Sequence, residues 1–367
     1  MSLQLFAKAP LGGVDRRSLV EVLATQGPKV ARDDLAHAIS QLKRVGTGVK
    51  PGACVLLLGG SNGILRAVAI QLLFGESVPV YAVHYDSEKL QIGPHHARAI
   101  TESALAAGLD ATFVNADATA PATLERVVAE LKARYRAVHL INGIAAGAPK
   151  RFEEHGPTQV PDLDVAFDSV RQTPDYSSWE CVRRVGVVQV DVATAQDIER
   201  TNKFMGRSTD PWADALAQAG LLIAGESLVA FADYEFEPSD PVYGMGPLSA
   251  AKLMQRESLA RIQSAYGVRT TRLCYPPMCT TAIGAIPGGL LKFAGSAELM
   301  IRAGTYKNLA QLAQETMPAL DTNFVDEALY LDLAYKAMRP AFDTLVSDIS
   351  PENLHEKLAH VVGHAGL

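Results

Sequence analysis

The sequence predicts an α/β fold built on a doubly wound parallel sheet, with a helical lid and further helices at the C-terminus. Residues 54–58 form an apolar run without alternation, which is typical of a strand buried on both faces of a parallel sheet. The run ends in Gly59-Gly60, and a helical pattern follows at once. Strand and helix patterns then alternate as far as residue 142, which indicates successive βαβ units.

The elements follow in order along the chain. Two helical patterns within 14–45, separated by Gly27-Pro28, precede the first buried strand. The alternating part predicts helices at 62–74, 93–107 and 122–136, and strands at 78–85, 111–115 and 138–142. A polar stretch at 145–180 precedes an alternating segment at 181–192. The remainder predicts helices at 194–204, 210–219 and 247–265, strands at 227–231 and 268–275, and helices beyond 286.

We expect one large nucleotide-binding unit, because neither an internal repeat nor a flexible linker divides the chain. Residues 1–50 are predicted to form an N-terminal helical segment that packs on the core. Residues 51–367 are predicted to form a single catalytic domain. Within it we expect an insertion at 146–192 and a C-terminal helical lid at 282–367.

Composition and charge exclude several classes of protein. The 367 residues are 48% hydrophobic and 20% charged, so the chain can bury a large core and is not disordered. A net charge of −6 gives no electrostatic reason to expect nucleic acid or an anionic membrane as a partner. The four cysteines lack CxxC spacing, which favours reduced thiols in a cytoplasmic protein. Separately, we expect the protein to be a monomer.

Histidine pairs do not indicate a metal site. His95-His96 and the pair His360 and His364 lack a third ligand at matching spacing. We therefore interpret these histidines as solvated and expect no metal.

The glycine-rich turn after the first buried strand is the first candidate site. Glycines in such a turn let the backbone approach a pyrophosphate, which the N-terminus of the following helix then holds. This position indicates a Rossmann dinucleotide site, and a purely structural turn is the alternative. The candidate cofactor-binding residues are Gly59, Gly60, Ser61, Asn62, Gly63 and Ile64.

The ends of the next three strands supply further candidates for contact with a dinucleotide. Asp86 would accept hydrogen bonds from both hydroxyls of the adenosine ribose and would repel a 2′-phosphate, which favours NADH over NADPH. The alternative for Asp86 is a solvated loop carboxylate. The candidates are Tyr85 and Asp86, then Asp117 and Ala118 toward adenine, then Ile144 and Ala145 toward nicotinamide.

Two Tyr and Lys pairs compete for the role of the acid beside the nicotinamide. Tyr85 and Lys89 have Y-x3-K spacing, but they follow the second strand, so we interpret that match as coincidence. Tyr243 and Lys252 lie between the late strands, where such a pair belongs. Nine positions are about two and a half helical turns, so the two side chains converge only if Tyr243 precedes a helix that begins at Pro247.

Tyr243-(x8)-Lys252 resembles the signature of the single-chain trans-2-enoyl-CoA reductases, including the FabV-type enoyl-acyl carrier protein reductases. The similarity covers residues 20–365 at sparse identity, as in a divergent member. Other segments resemble the family in the same order: 59–64, 85–86, 190–198, 205–212, 280–287 and 351–354. The family has an extended fold similar to that of the short-chain dehydrogenases.

The resemblance implies NADH-dependent reduction of the C2–C3 double bond of a trans-2-enoyl thioester of CoA or acyl carrier protein. Tyr243 would then stabilise the enolate oxygen, and Lys252 would hold both the nicotinamide ribose and the Tyr243 hydroxyl. The resemblance also implies that Met278, Cys279 and Thr280 line the nicotinamide, and that Tyr234, Ile283 and Ile286 contact the substrate.

Two departures from the family pattern concern the site. Leu65 stands where the family has a glycine in the turn. The second tyrosine of the family, ten residues before the catalytic one, is replaced by Asp233, and a one-residue shift would transfer its role to Tyr234. A carbonyl reductase on the same scaffold and a non-catalytic NAD-binding sensor are the alternative functions.

Overall fold

The computed structural model describes residues 5–7, 16–87, 89–165, 167–168, 173–177, 182–278, 280, 283–347 and 353. The strands in these residues are β1 (Leu5–Ala7), β2 (Ala53–Leu58), β3 (Val80–His84), β4 (Ala111–Asn115), β5 (Ala137–Asn142), β6 (Thr158–Val165), β7 (Phe167–Asp168), β8 (Thr173–Ser177), β9 (Val182–Val190), β10 (Leu228–Asp233), β11 (Arg269–Cys274) and β12 (Ala328–Tyr330). The α-helices are α1 (Arg16–Ser40), α2 (Gly63–Ile70), α3 (Gly93–Ala106), α4 (Pro121–Arg134), α5 (Ala195–Thr201), α6 (Thr209–Gln218), α7 (Pro247–Tyr266), α8 (Gly289–Arg302), α9 (Leu309–Thr316) and α10 (Leu333–Ser347).

The main sheet has seven parallel strands in the order β12-β11-β10-β5-β2-β3-β4. This arrangement confirms the predicted doubly wound sheet. The chain runs outward in one direction from β2 to β4 and in the other from β5 to β12. The boundary between β2 and β5 is therefore the topological switch point, where dinucleotides bind in such folds.

The apolar run of β2 contributes to both faces of the sheet. Val55 and Leu57 belong to the core cluster that α1, α2 and α9 cover. Cys54, Leu56 and Leu58 belong to the cluster on the other face, under α4, α6 and α7. Because side chains alternate along a strand, burial on both faces needs a continuous apolar run, and this explains the missing alternation.

Helix α1 is continuous through Pro28, so the predicted break at Gly27-Pro28 is wrong. Gly27 lies against α3, and a Cβ at this position would be 2.8 Å from Cδ2 of His95. Packing of α1 on α3 stabilises the helix although Pro28 lacks a backbone N–H. Ala31 and Leu35 of α1 are buried in the core beside the sheet.

The insertion and the C-terminal segment contain strands that the sequence pattern does not predict. Strands β6 and β9 form an antiparallel ribbon outside the main sheet, and only β9 is predicted. Strand β12 extends the main sheet beside β11. Helix α9 packs on α2, whereas α8 and α10 pack on each other. None of the helices in the described ranges has both the length and the apolar character that a membrane crossing requires.

Candidate active site

A cavity of about 620 Å³ lies at the carboxyl ends of the parallel strands, beside the switch point. It extends from the glycine-rich turn after β2 to the first turns of α7 and to α8 and α10. Most of the predicted site residues line it: Gly59, Ser61, Asn62, Gly63, Ile64, Tyr85, Asp86, Ala118, Ile144, Ala145, Tyr234, Tyr243, Lys252, Met278, Thr280, Ile283 and Ile286.

Three predicted residues are not among the lining residues. Gly60 faces β3, where a Cβ would be 3.0 Å from Cβ of Ala82, so its smallness serves packing. The carboxylate of Asp117 accepts hydrogen bonds of 2.7 Å from the backbone N–H and the hydroxyl of Thr119 and so closes its own turn. Cys279 lies outside the described residues.

The glycine-rich turn fits a pyrophosphate. Gly59 and Gly63 have φ values of +100° and +59°, which glycine adopts without steric cost. Asn62 is the N-cap of α2, but its side chain makes no capping hydrogen bond. Among the described residues no side chain accepts a hydrogen bond from the first N–H groups of α2, and together with the helix dipole these groups suit an anion.

Leu65 replaces the glycine of the family without disturbing the turn. Its side chain is buried in the core. The room comes from Gly143, directly after β5, where a Cβ would be 2.5 Å from Cδ1 of Leu65. The close approach of α2 to the sheet thus depends on the glycine that follows β5 instead of one in the helix.

Asp86 is a shielded carboxylate in the wall of the cavity. Its Oδ2 accepts hydrogen bonds from the Ser61 hydroxyl at 2.5 Å and from Nδ1 of His84 at 2.7 Å. Burial raises the pKa of Asp86, but these hydrogen bonds outweigh it and hold the pKa below its usual value. The side chain is only 9% exposed, so the alternative of a solvated loop carboxylate is wrong. The sequence pattern does not indicate His84 as a site residue, although it lies two residues before Asp86 at the end of β3.

Tyr85 and Lys89 lie in the loop between β3 and α3. Tyr85 is 76% exposed at the mouth of the cavity, and Lys89 is also exposed. This Tyr and Lys pair therefore lies in a loop and not on the helix that carries such a pair in short-chain dehydrogenases.

His96 is buried, so its interpretation as a solvated histidine is wrong. Its Nε2 lies 2.6 Å from Nη1 of Arg66, and its Nδ1 lies 3.2 Å from Oδ1 of Asn62. Burial lowers the pKa of His96 to about 4, so the ring is neutral at pH 7 and donates to Asn62 through Nδ1. It thereby orients the N-cap residue of α2. In the described ranges no three His, Cys, Asp or Glu side chains cluster as metal ligands, and His360 and His364 lie outside those ranges.

Lys252 projects into the cavity from the second turn of α7. Its ammonium donates to the carbonyl oxygen of Ala232 at 2.5 Å and to Oε1 of Gln255 at 3.0 Å. It also lies 5.1 Å and 5.5 Å from the ring centroids of Phe231 and Tyr234. Burial lowers the pKa of Lys252 to about 8. An ammonium has three N–H donors, so one remains for a ligand in the cavity.

Tyr243 precedes α7, as the spacing to Lys252 requires. The turn is tight at Gly246, where a Cβ would overlap the carbonyl oxygen of Lys150. The ring of Tyr243 packs edge-on against that of Tyr234, with centroids 5.0 Å apart. In the described part of the chain neither hydroxyl has a hydrogen-bond partner. Burial and the nearby Asp240 carboxylate raise the pKa of Tyr243 above its usual value.

Tyr234 occupies the cavity, and Asp233 does not take the place of a second tyrosine. The carboxylate of Asp233 forms ion pairs with Arg256 at 3.0 Å and with Arg272 at 3.3 Å. Lys252 contacts the ring of Tyr234, and no hydrogen bond joins it to Tyr243. The expected contact between Lys252 and the Tyr243 hydroxyl is therefore absent from this structure.

Further polar side chains of the cavity carry no motif in the sequence. They come from the turn before Tyr243, from α8 and from α10: Asp240, Lys292, Tyr335 and Arg339. These positions are far apart along the chain, so only the fold brings them together.

The family model of the trans-2-enoyl-CoA reductase catalytic region matches residues 91–306, more than half of the chain. The chain belongs to the trans-2-enoyl-CoA reductase family. This membership confirms the predicted family and, with it, the predicted class of NADH-dependent enoyl-thioester reductases.

Individual members of the family are distant in sequence. The chain is 25% identical over 317 residues to an NADH-dependent enoyl-acyl carrier protein reductase of Colwellia psychrerythraea, covering 80% of this chain and 77% of that protein. It is 27% identical over 290 residues to the trans-2-enoyl-CoA reductase of Euglena gracilis, covering 75% of this chain and 52% of that protein.

The fold agrees with a solved member of the family. The crystal structure of Clostridium acetobutulicum trans-2-enoyl-CoA reductase in complex with NADH superposes with a TM-score of 0.75 at 19% identity. The match covers 92% of this chain and 90% of the other. The trans-2-enoyl-CoA reductase architecture is therefore conserved over nearly the whole chain.

Proposed function

We propose that this chain uses NADH to reduce the C2–C3 double bond of a trans-2-enoyl thioester carried on CoA or acyl carrier protein. One observation carries the proposal: the Tyr243 hydroxyl, without a hydrogen-bond partner in the described residues, belongs to the cavity that the glycine-rich turn of α2 also lines. When bound, NADH would supply a hydride to C3 and become NAD⁺, and the resulting enolate would take up a proton from solvent at C2.

Different residues of the cavity contact the substrate and the cofactor. The raised pKa of Tyr243 keeps the phenol protonated at neutral pH, so its O–H donates to the thioester oxygen as negative charge develops there. The remaining N–H of Lys252 donates to the nicotinamide ribose. Asp86 accepts from the adenosine ribose at the other end of the cavity. Ile283 and Ile286 contact the acyl chain through apolar side chains.

The test is Tyr243→Phe, which removes one hydroxyl that acts mainly in the transition state. We expect kcat with crotonyl-CoA to fall by about 10²–10³ while the Kd of NADH changes little. Tyr266→Phe is the matched control, because its hydroxyl donates to Asp214 at the far end of α7. An unchanged kcat in Tyr243→Phe would remove this tyrosine from the reaction.

A parallel assay with acetoacetyl-CoA separates the alternative functions. Turnover of acetoacetyl-CoA alone would identify a carbonyl reductase, since a tyrosine donor serves ketone reduction equally well. Tight NADH binding without turnover of either thioester would identify a sensor.

We also propose that the protein acts as a cytoplasmic monomer, with residues 51–367 as one catalytic domain on which residues 1–50 pack. Cys54 and Cys274 are free and buried, which suits a reducing compartment. Light scattering of the purified protein measures the oligomeric state directly.

A further inference from the structure

Two oppositely charged side chains meet in the cavity beside Tyr243. Asp240 lies in the turn before Tyr243, and Lys292 lies on α8. The carboxylate and the ammonium form a direct ion pair. The side chains are 6% and 23% exposed, so neither charge is well hydrated without the other.

Asp240 uses its two carboxylate oxygens for different contacts. Oδ1 accepts hydrogen bonds from the backbone N–H groups of Val242 and Tyr243, at 2.9 Å and 2.8 Å. Oδ2 binds the ammonium of Lys292. One carboxylate therefore holds the backbone of Tyr243 in place and, through its second oxygen, fixes a cation from a different helix.

The two lysines of the cavity face different tyrosines. Nζ of Lys292 lies 5.6 Å from the ring centroid of Tyr243. Lys252 instead lies over the ring of Tyr234, with Ala232 and Gln255 as its hydrogen-bond partners. The positive charge that faces Tyr243 thus comes from Lys292.

The N-terminal end of helix α8 is hydrogen-bonded to the insertion. The backbone N–H of Gly288, the N-cap residue of α8, donates to Oδ2 of Asp162 on β6 at 3.1 Å. Lys292 lies in the first turn after this anchor. The ion pair between Lys292 and Asp240 therefore connects α8 directly to the turn that carries Tyr243.

We propose that Asp240 and Lys292 are positioning residues for Tyr243. Asp240 sets the backbone of the tyrosine, and Lys292 holds α8 over it and supplies a positive charge at its ring. The ammonium offsets the negative charge of the Asp240 carboxylate beside the phenol, so the pair does not oppose the negative charge that develops on the oxygen to which the phenol donates. The inference rests on the proposed role of Tyr243 as the hydrogen-bond donor.

Single variants separate the two contacts of Asp240. Lys292→Met removes the cation, and we expect kcat to fall about tenfold while the Kd of NADH stays within about twofold. Lys292→Arg should recover most of this loss. Asp240→Asn keeps an oxygen for the two backbone N–H groups but loses the charge, so it should resemble Lys292→Met. Asp240→Ala loses both contacts and should lower kcat further.

Measuring the effect of Lys292→Met in the Tyr243→Phe variant shows whether the pair of Asp240 and Lys292 acts through Tyr243. In that background Lys292→Met should lower kcat by less than about threefold, because the hydroxyl that it supports is already gone. An equal tenfold loss in both backgrounds would overturn the proposal. The double variant Asp240→Asn/Lys292→Met leaves no unpaired charge and tests the same point if a single variant does not fold.

The outcomes also distinguish this inference from the proposed function. An unchanged kcat in Tyr243→Phe alone would refute the role of Tyr243 in the reaction. A large loss in Tyr243→Phe, combined with unchanged kcat in Lys292→Met and Asp240→Asn, would refute only the positioning role.

Discussion

The buried ammonium of Lys252 predicts that NADH binding weakens within the ordinary alkaline range. Burial lowers its pKa from 10.5 to about 8. At 1.36 kcal/mol per pKa unit, burial destabilises the ammonium relative to the neutral amine by about 3 kcal/mol. Below pH 8 the ammonium has an N–H for the nicotinamide ribose, since Ala232 and Gln255 take the other two. Above pH 8 the group becomes neutral and this charge-assisted hydrogen bond is weakened.

A charge-assisted hydrogen bond contributes about 1.5–3 kcal/mol, so its weakening should be measurable as a change in affinity. We expect the Kd of NADH to rise about tenfold between pH 7 and pH 10, with the rise beginning near pH 8. Fluorescence titration of NADH at a series of pH values measures this directly. Lys252→Met should bind NADH weakly at every pH, without the rise.

Two results would refute this reasoning. A Kd that stays constant to pH 10 in the unmodified protein would mean that Lys252 does not contact the ribose. The same rise in Lys252→Met would assign the titration to another group.

Two further predictions concern Asp86 and a buried histidine. NADH should be preferred over NADPH by at least about 1.4 kcal/mol in kcat/KM, a factor of ten, because ionised Asp86 repels a 2′-phosphate. Asp86→Ala should narrow this gap, and equal kcat/KM with both cofactors in the unmodified protein would contradict the ribose contact. Burial in β5 lowers the pKa of His139 from 6.5 to about 4, so the unfolded chain binds a proton that the folded chain does not. The free energy of unfolding should therefore fall as the pH drops from 6.5 to 4, by about 2 kcal/mol at pH 4.5. His139→Gln keeps an acceptor for the N–H of Leu228, and urea unfolding at pH 7 and 4.5 should show a correspondingly smaller loss, whereas an equal loss would exclude His139 as its source.

Local patterns were sufficient to predict six of the seven strands of the main sheet, all except β12. Strand β4 spans 111–115 as predicted, and β2 and β5 begin one residue before their predicted starts. Apolar runs between turns predict these strands because burial on both faces of a sheet requires them. Tyr243 and Lys252 line the same cavity as the glycine-rich turn because the carboxyl ends of parallel strands meet at one edge.

Only the tertiary structure decided which charges and rings are partners. Lys292 and Asp240 are 52 residues apart, and no local period relates them. The same holds for Gly143, which makes room for Leu65. Lys252 contacts Tyr234 instead of Tyr243 because the way α7 packs on the sheet, more than the spacing along the chain, sets where its ammonium lies. Such contacts depend on how whole elements pack, since a side chain's partners come from neighbouring strands and helices that the local sequence does not specify.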